Sequence, residues 1–81
     1  MTIRVKLFAI LRDKARLAET SLEIPTGATV ADAVKSIGAR HSDLLPHLPR
    51  AATAVNLERA SPTTILHDND ELALLPPVSG G

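Results

Sequence analysis

The sequence predicts an α+β domain in which a mixed sheet packs on one main helix. Three observations carry that expectation. Ile3, Val5 and Leu7 alternate with Thr2, Arg4 and Lys6, the period of a half-buried strand. A single well-punctuated helical stretch opens at Thr29, and the C-terminal third holds further runs rich in β-branched and aliphatic residues. At 81 residues the chain has room for one domain, near the size at which a single hydrophobic core is marginal. Hydrophobic residues make up 44% and Phe8 is the sole aromatic, so Leu, Ile, Val and Ala must build that core.

The first strand runs from Thr2 to about Phe8. The following "AILRDKARLA" is helix-permissive but short, and is not counted as an element. "TSLEI" alternates again through Leu22 and Ile24, and Pro25-Thr26-Gly27 closes it as a turn. Thr29 then reads as an N-cap with Asp32 near the positive end of the helix dipole. Val30, Ala33, Val34 and Ile37 follow at helical spacing, and Gly38 reads as the C-terminal stop. "HSDLLPHLPR" is broken by Pro46 and Pro49 into a helical turn and a loop. "AATAVNL" and "PTTIL" read as neighbouring strands joined by "ERAS". "HDND" is a turn, and "ELALLP" the last strand, with Leu72 and Leu74 on one face. Residues 1–75 form the folded domain and residues 76–81 a flexible tail.

Composition narrows the chemistry. Nine basic and nine acidic residues cancel, so no long-range field draws in nucleic acid or an anionic membrane, and neither is expected as a partner. There is no cysteine, which removes disulfides, thiolate metal sites and thiol nucleophiles. Arg4, Lys6 and Asp13 argue against a targeting peptide, and no stretch approaches the roughly 20 apolar residues of a membrane span. A soluble, cytoplasmic protein is the expectation. His41, His47 and His67 are scattered and lack cysteine neighbours, so no metal site is expected. Asp68, Asp70 and Glu71 lack the downstream ligands of a calcium loop and read as a turn. None of the serines stands in a nucleophile elbow, and Gly27 and Gly38 are too far apart for a phosphate loop.

Chemistry is left to the tail, "ELALLPPVSGG", which puts Gly80 and Gly81 where the main chain has a free carboxylate. Glycine is about 7% of residues on average, so a chance Gly-Gly ending has a probability near ~0.5%. A carboxylate becomes electrophilic once it attacks the α-phosphate of ATP to give an acyl-adenylate. A sulfur or nitrogen nucleophile then displaces AMP. Without a Cβ, Gly80 and Gly81 fit a narrow channel and adopt angles that other residues resist. Pro76 and Pro77 fix their own φ and bias the residue before each toward extended geometry, which directs the tail away from the sheet and lowers the ordering cost of insertion.

The ending "LLPPVSGG", the preceding "LHDNDELA", the segment Ala52–Asn56 and the opening "VKLFAILRD" resemble the small subunits of molybdopterin synthase, which are ubiquitin-like sulfur carriers. The likeness runs nearly end to end, and "PPVSGG" is its most specific piece. It implies a β-grasp fold and a protein that is not catalytic alone. Gly81 would be adenylated by a ubiquitin-activating-type adenylyltransferase using ATP, with no cofactor bound to the carrier itself. A sulfurtransferase would supply the sulfur that converts it to a thiocarboxylate. The tail Pro76, Pro77, Val78, Ser79 and Gly80 would thread into the synthase large subunit within a heterotetramer, with Leu74 and Leu75 at the contact. Apart from the resemblance, Arg12 and Arg40 are candidate rim charges of an apolar patch near the last strand, a solvated surface charge being the ordinary role of either. Sulfur would pass there to cyclic pyranopterin monophosphate to build the dithiolene. Two positions depart from the family: Leu74-Leu75 replace a frequent aromatic pair, and Asn69 stands where a glycine is frequent in the acidic turn, a place where Asn tolerates left-handed geometry. A carrier for thiamin or cysteine synthesis and a plain ubiquitin-like interaction module are the alternatives.

Overall fold

The computed structural model describes residues 1–77. Five strands, β1 (Thr2–Leu7), β2 (Glu19–Glu23), β3 (Ala52–Val55), β4 (Glu58–Arg59) and β5 (Glu71–Leu75), form one sheet in the order β2-β1-β5-β3-β4. β1 and β5 pair in parallel, and the other pairs are antiparallel. The helices are α1 (Ala9–Ala15) and α2 (Val30–Arg40), and single 3₁₀ turns occupy Ser42–Leu44 and Leu48–Arg50. The α+β class and the mixed sheet are as the sequence predicts.

Alternation decides the two faces of the sheet. Ile3, Val5, Leu7, Leu22, Leu72 and Leu74 point to one side and are buried with Val30, Ala33 and Ile37 of α2 and with Leu11, Leu44, Leu48 and Leu66 from the connections. The other face of β1 carries Thr2, Arg4 and Lys6. No polar or charged residue among those described is buried.

Three local expectations need correction. The segment after β1 is a helix, because Leu11 is fully buried in the common core; seven residues are too few to be helical on propensity alone, and packing supplies the difference. Gly38 does not stop α2, which continues to Arg40 before the His41 N–H bonds back to the Ile37 carbonyl. A Cβ at Gly38 would stand 2.8 Å from Leu45 Cδ2 and 3.0 Å from Leu48 Cδ1, so glycine is there to let the 3₁₀ segment approach the helix. "PTTIL" is not a sheet strand, while Glu58 and Arg59 of the supposed connection are strand β4. The backbone of "PTTIL" serves the start of α2 instead: Val30 N–H donates to the Thr64 carbonyl at 2.9 Å and Ala31 N–H to that of Pro62 at 3.0 Å.

That arrangement accounts for the donors a helix start leaves free. The next one, Asp32 N–H, donates to Thr29 Oγ1 at 3.3 Å, and Asp32 Oδ2 accepts from Thr29 N–H at 2.9 Å, completing a capping box. The backbone bond from Thr29 is the main cause that lowers the Asp32 pKa, helped by the Thr29 side chain and by Lys35. A carboxyl whose folded pKa is depressed stabilises the fold above its unfolded pKa, and that contribution is lost as pH falls through the folded value. Independently of that titration, loss of the N-cap in Thr29→Ala is expected to cost about 1 kcal/mol. Asp32→Asn should flatten the acid limb of stability below the ordinary aspartate range, as measured by urea unfolding from neutral pH down to about pH 3.

The acidic turn fixes β5 against β1. Asn69 takes φ 68°, the left-handed geometry its side chain tolerates, and donates its N–H to the Thr2 carbonyl at 2.7 Å. Thr2 N–H in turn donates to Asp68 Oδ1 at 2.8 Å, and His67 N–H to Asp70 Oδ2 at 2.8 Å. Asp68 and Asp70 thus hold backbone.

Candidate functional site

The chain's exit toward its C-terminus is the candidate site, and β5 is its mount. β5 lies mid-sheet, with β1 on one side and β3 on the other. Asn56 grips its first residue: Asn56 Oδ1 accepts from Glu71 N–H at 3.0 Å, and Asn56 N–H donates to the Glu71 carbonyl at 2.9 Å. At the far end Phe8 N–H donates to the Leu74 carbonyl at 3.3 Å. Leu72 and Leu74 are both 0% exposed, so the strand is anchored by two full leucine side chains just before the prolines.

Leu74 therefore cannot serve as the partner contact expected of it. The strand's alternation turns it into the domain's own core, and Leu75, half-buried on the open face opposite Ala52, is the residue of that pair left at the surface. Pro76 is half-buried and Pro77 exposed. The two prolines border a cleft with Ile10, Pro46, Pro49 and Arg50, and so lie beside α1 and the second 3₁₀ turn. Val78, Ser79, Gly80 and Gly81 lie outside the described residues.

Phe8 and Ile10, each 39% exposed, sit at this exit and were not picked out from the sequence as site residues. Parallel pairing of β1 with β5, Leu7 opposite Leu74, brings them there. Phe8 being the only aromatic of the chain was the available signal. Charge is kept to one side: Glu71 Oε2 lies 3.3 Å from Lys6 Nζ and 3.9 Å from Arg4 Nη2, leaving Ala73 and Leu75 as an uncharged strip. Arg12 lies on α1 with its Nε 4.0 Å from Asp13 Oδ1. Arg40 lies away from the expected rim, since its Nη1 donates to the Ser21 carbonyl on the edge strand β2, two strands from β5. Among the described residues no three His, Cys, Asp or Glu side chains gather as a metal site, and no helix is long and apolar enough to cross a membrane.

A strongly anchored central strand running directly into two prolines gives the chain a fixed point of departure from the sheet. Residues 5–81 match the ThiS family. This chain belongs to the ThiS family. Within its wider circle of relatives, the molybdopterin synthase sulfur carrier subunit of Chlamydomonas reinhardtii is 36% identical, with each chain covered in full. Among solved structures, the crystal structure of SAMP1 from Haloferax volcanii superimposes with a TM-score of 0.91 at 30% identity, again over the whole of both chains. A chain in the Amycolatopsis orientalis BexX/CysO complex aligns over 98% of this one and 99% of its own length, with a TM-score of 0.71 and 28% identity. The fold of this ThiS-family chain is the ubiquitin-like β-grasp, as the resemblance implied.

Proposed function

We propose that this protein is the sulfur carrier subunit of molybdopterin synthase and carries sulfur on its C-terminal Gly81. The observation that supports this most is the way the exit is built: an immobilised central strand passes straight into Pro76-Pro77, and the sequence then ends in Gly-Gly. The full-length likeness to a molybdopterin synthase sulfur carrier subunit supports the pathway. The protein is not an enzyme alone; its chemistry belongs to the carboxylate it presents.

In this reading a ubiquitin-activating-type adenylyltransferase binds ATP and the tail. A Gly81 carboxylate oxygen attacks the α-phosphate, pyrophosphate leaves, and an acyl-adenylate forms. The terminal sulfur of a sulfurtransferase persulfide attacks the acyl carbon and AMP leaves with the bonding pair; a thiol then reduces the S–S bond of the resulting acyl disulfide, and the thiocarboxylate is released. The tail then enters the synthase large subunit, where two rounds of sulfur donation convert cyclic pyranopterin monophosphate to the dithiolene. Hydrolysis of each spent acyl group returns the carboxylate. Leu75, Phe8 and Ile10 supply the apolar contact around the tail root, and desolvating them drives the association. The cytoplasm, where ATP and the pterin precursor are found, is the compartment proposed for it.

The test is the mass of the C-terminal peptide after incubation with the activating enzyme, ATP and the sulfur donor. A sulfur-for-oxygen increase on Gly81 is expected, followed by its loss when large subunit and precursor are added. An unmodified terminus would reduce the protein to a binding module, and a thiocarboxylate that serves only a thiamin or cysteine pathway enzyme would move it to a different carrier class. In the same assay Gly80→Val should slow single-turnover transfer far more than Gly80→Ala, because a branched Cβ meets a channel wall that glycine clears. Parental transfer by Gly80→Val would overturn the narrow-channel account of the ending.

A further inference from the structure

β2 is the outermost strand on the side of the sheet away from β4. Met1 and Ile24 exchange backbone bonds at 2.9 Å in both directions, and Leu7 N–H donates to the Ala18 carbonyl at 2.8 Å. With the register Thr2↔Glu23 through Lys6↔Glu19, antiparallel alternation places the bonded pairs at Ile3–Leu22 and Val5–Thr20. The N–H and C=O groups of Glu19, Ser21 and Glu23 therefore face outward along an open edge. Among the described residues the group that reaches this edge from another element is Arg40, whose Nη1 donates to the Ser21 carbonyl at a long 3.4 Å.

The side chains of these three residues are exposed on the open face. Their basic cross-strand neighbours are engaged elsewhere, since Arg4 and Lys6 both turn to Glu71. Glu19 and Glu23 make no ion pair among the described residues. Behind the edge a groove runs between β2 and the second half of α2, with Leu22, Ser36 and Ala39 in its walls. Small helix residues leave room there for side chains from an added strand.

Charge selects the occupant. A second copy pairing antiparallel about Ser21 would set Glu19 against Glu23 twice, and like charges directly opposite are destabilising. We infer that the β2 edge is a docking strand for an extended segment of a partner chain bearing Lys or Arg at two positions four residues apart, with a small residue midway and apolar residues between. The basic residues lie opposite Glu19 and Glu23, the small one opposite Ser21, and the apolar ones enter the groove beside Leu22. Main-chain bonds extend the sheet, and Arg40 swings away from the Ser21 carbonyl to release the central acceptor. β2 stands two strands from β5, about 10 Å at ordinary strand spacing, so a partner can be held there while the C-terminus is in use.

The probe is the peptide acetyl-Thr-Lys-Val-Ser-Val-Lys-Thr-amide, titrated into the isotope-labelled full chain and followed by amide chemical shifts and hydrogen exchange. Shifts and slowed exchange are expected at Glu19, Ser21 and Glu23, with affinity falling as salt is added. The double variant Glu19→Lys/Glu23→Lys should keep its melting temperature, bind this peptide about ten-fold or more weakly, and gain the counterpart peptide with Glu in place of Lys. Equal binding to both proteins, or shifts confined to Phe8 and β5, would overturn the inference. Absence of binding would leave the two glutamates as guards against edge-to-edge association and overturn it as well. Concentration-dependent protection of the same amides without peptide would make a second copy the occupant, with the same consequence.

Discussion

Removing Gly81, or adding residues after it, is expected to abolish sulfur transfer and leave the melting temperature unchanged. Extension turns the terminal carboxylate into a peptide amide, which cannot attack the α-phosphate of ATP. Deletion keeps a glycine at the end but shortens the reach by one residue, about 3.5 Å, when a displacement of 1 Å at a reacting centre already costs about 10²-fold. Stability should not respond, because the buried cluster among the described residues is complete at Leu74. The measurement is adenylate formation and single-turnover transfer for each variant beside its thermal unfolding. Transfer by a chain with a blocked C-terminus would remove Gly81 from the chemistry, and a large drop in melting temperature would make the tail a structural element.

Leu74→Ala and Leu75→Ala should part company, although the residues are adjacent. Leu74 is 0% exposed, and truncating a buried leucine costs roughly 2–5 kcal/mol. Native domains hold only about 5–15 kcal/mol in total, so the melting temperature should fall by about 10 °C or more. Leu75 is half-buried on the open face, and its truncation should cost about 1 kcal/mol or less while weakening association with the large subunit. Thermal unfolding together with a binding titration separates the two. A Leu74→Ala protein as stable as the parent would contradict the packing of β5, and Leu75→Ala binding at parental affinity would remove Leu75 from the interface.

The same pair shows how far local pattern reaches. Alternation placed Leu72 and Leu74 on one face, and burial confirms it; the resemblance to a family with aromatics at 74 and 75 suggested a contact for both, which the geometry allows only for Leu75. The cap at Thr29 was legible because a capping box spans only four residues, here Thr29 to Asp32, and its signal is wholly local. Strand β4 and the role of "PTTIL" were not, since β-branched residues favour extended backbone without saying whether its hydrogen bonds go to a sheet or to a helix start. Gly38 looked like a stop because glycine ends helices, yet here it answers to Leu45 and Leu48 across a turn.

By itself the sequence determined the class of the fold, the faces of β1, β2 and β5 and the left-handed tolerance of the acidic turn. Each of these depends on residue type or on spacing within a few positions. Tertiary structure alone decided that β5 enters the middle of the sheet, that α1 forms on Leu11, that Phe8 and Ile10 stand at the end of β5, and that β2 lies at an edge of the sheet. Those outcomes depend on pairings between residues far apart in the chain, such as Leu7 with Leu74. Such pairings are selected by which apolar faces can be buried together, and hydrophobic burial is non-directional, so it leaves no local mark of the partner it will find.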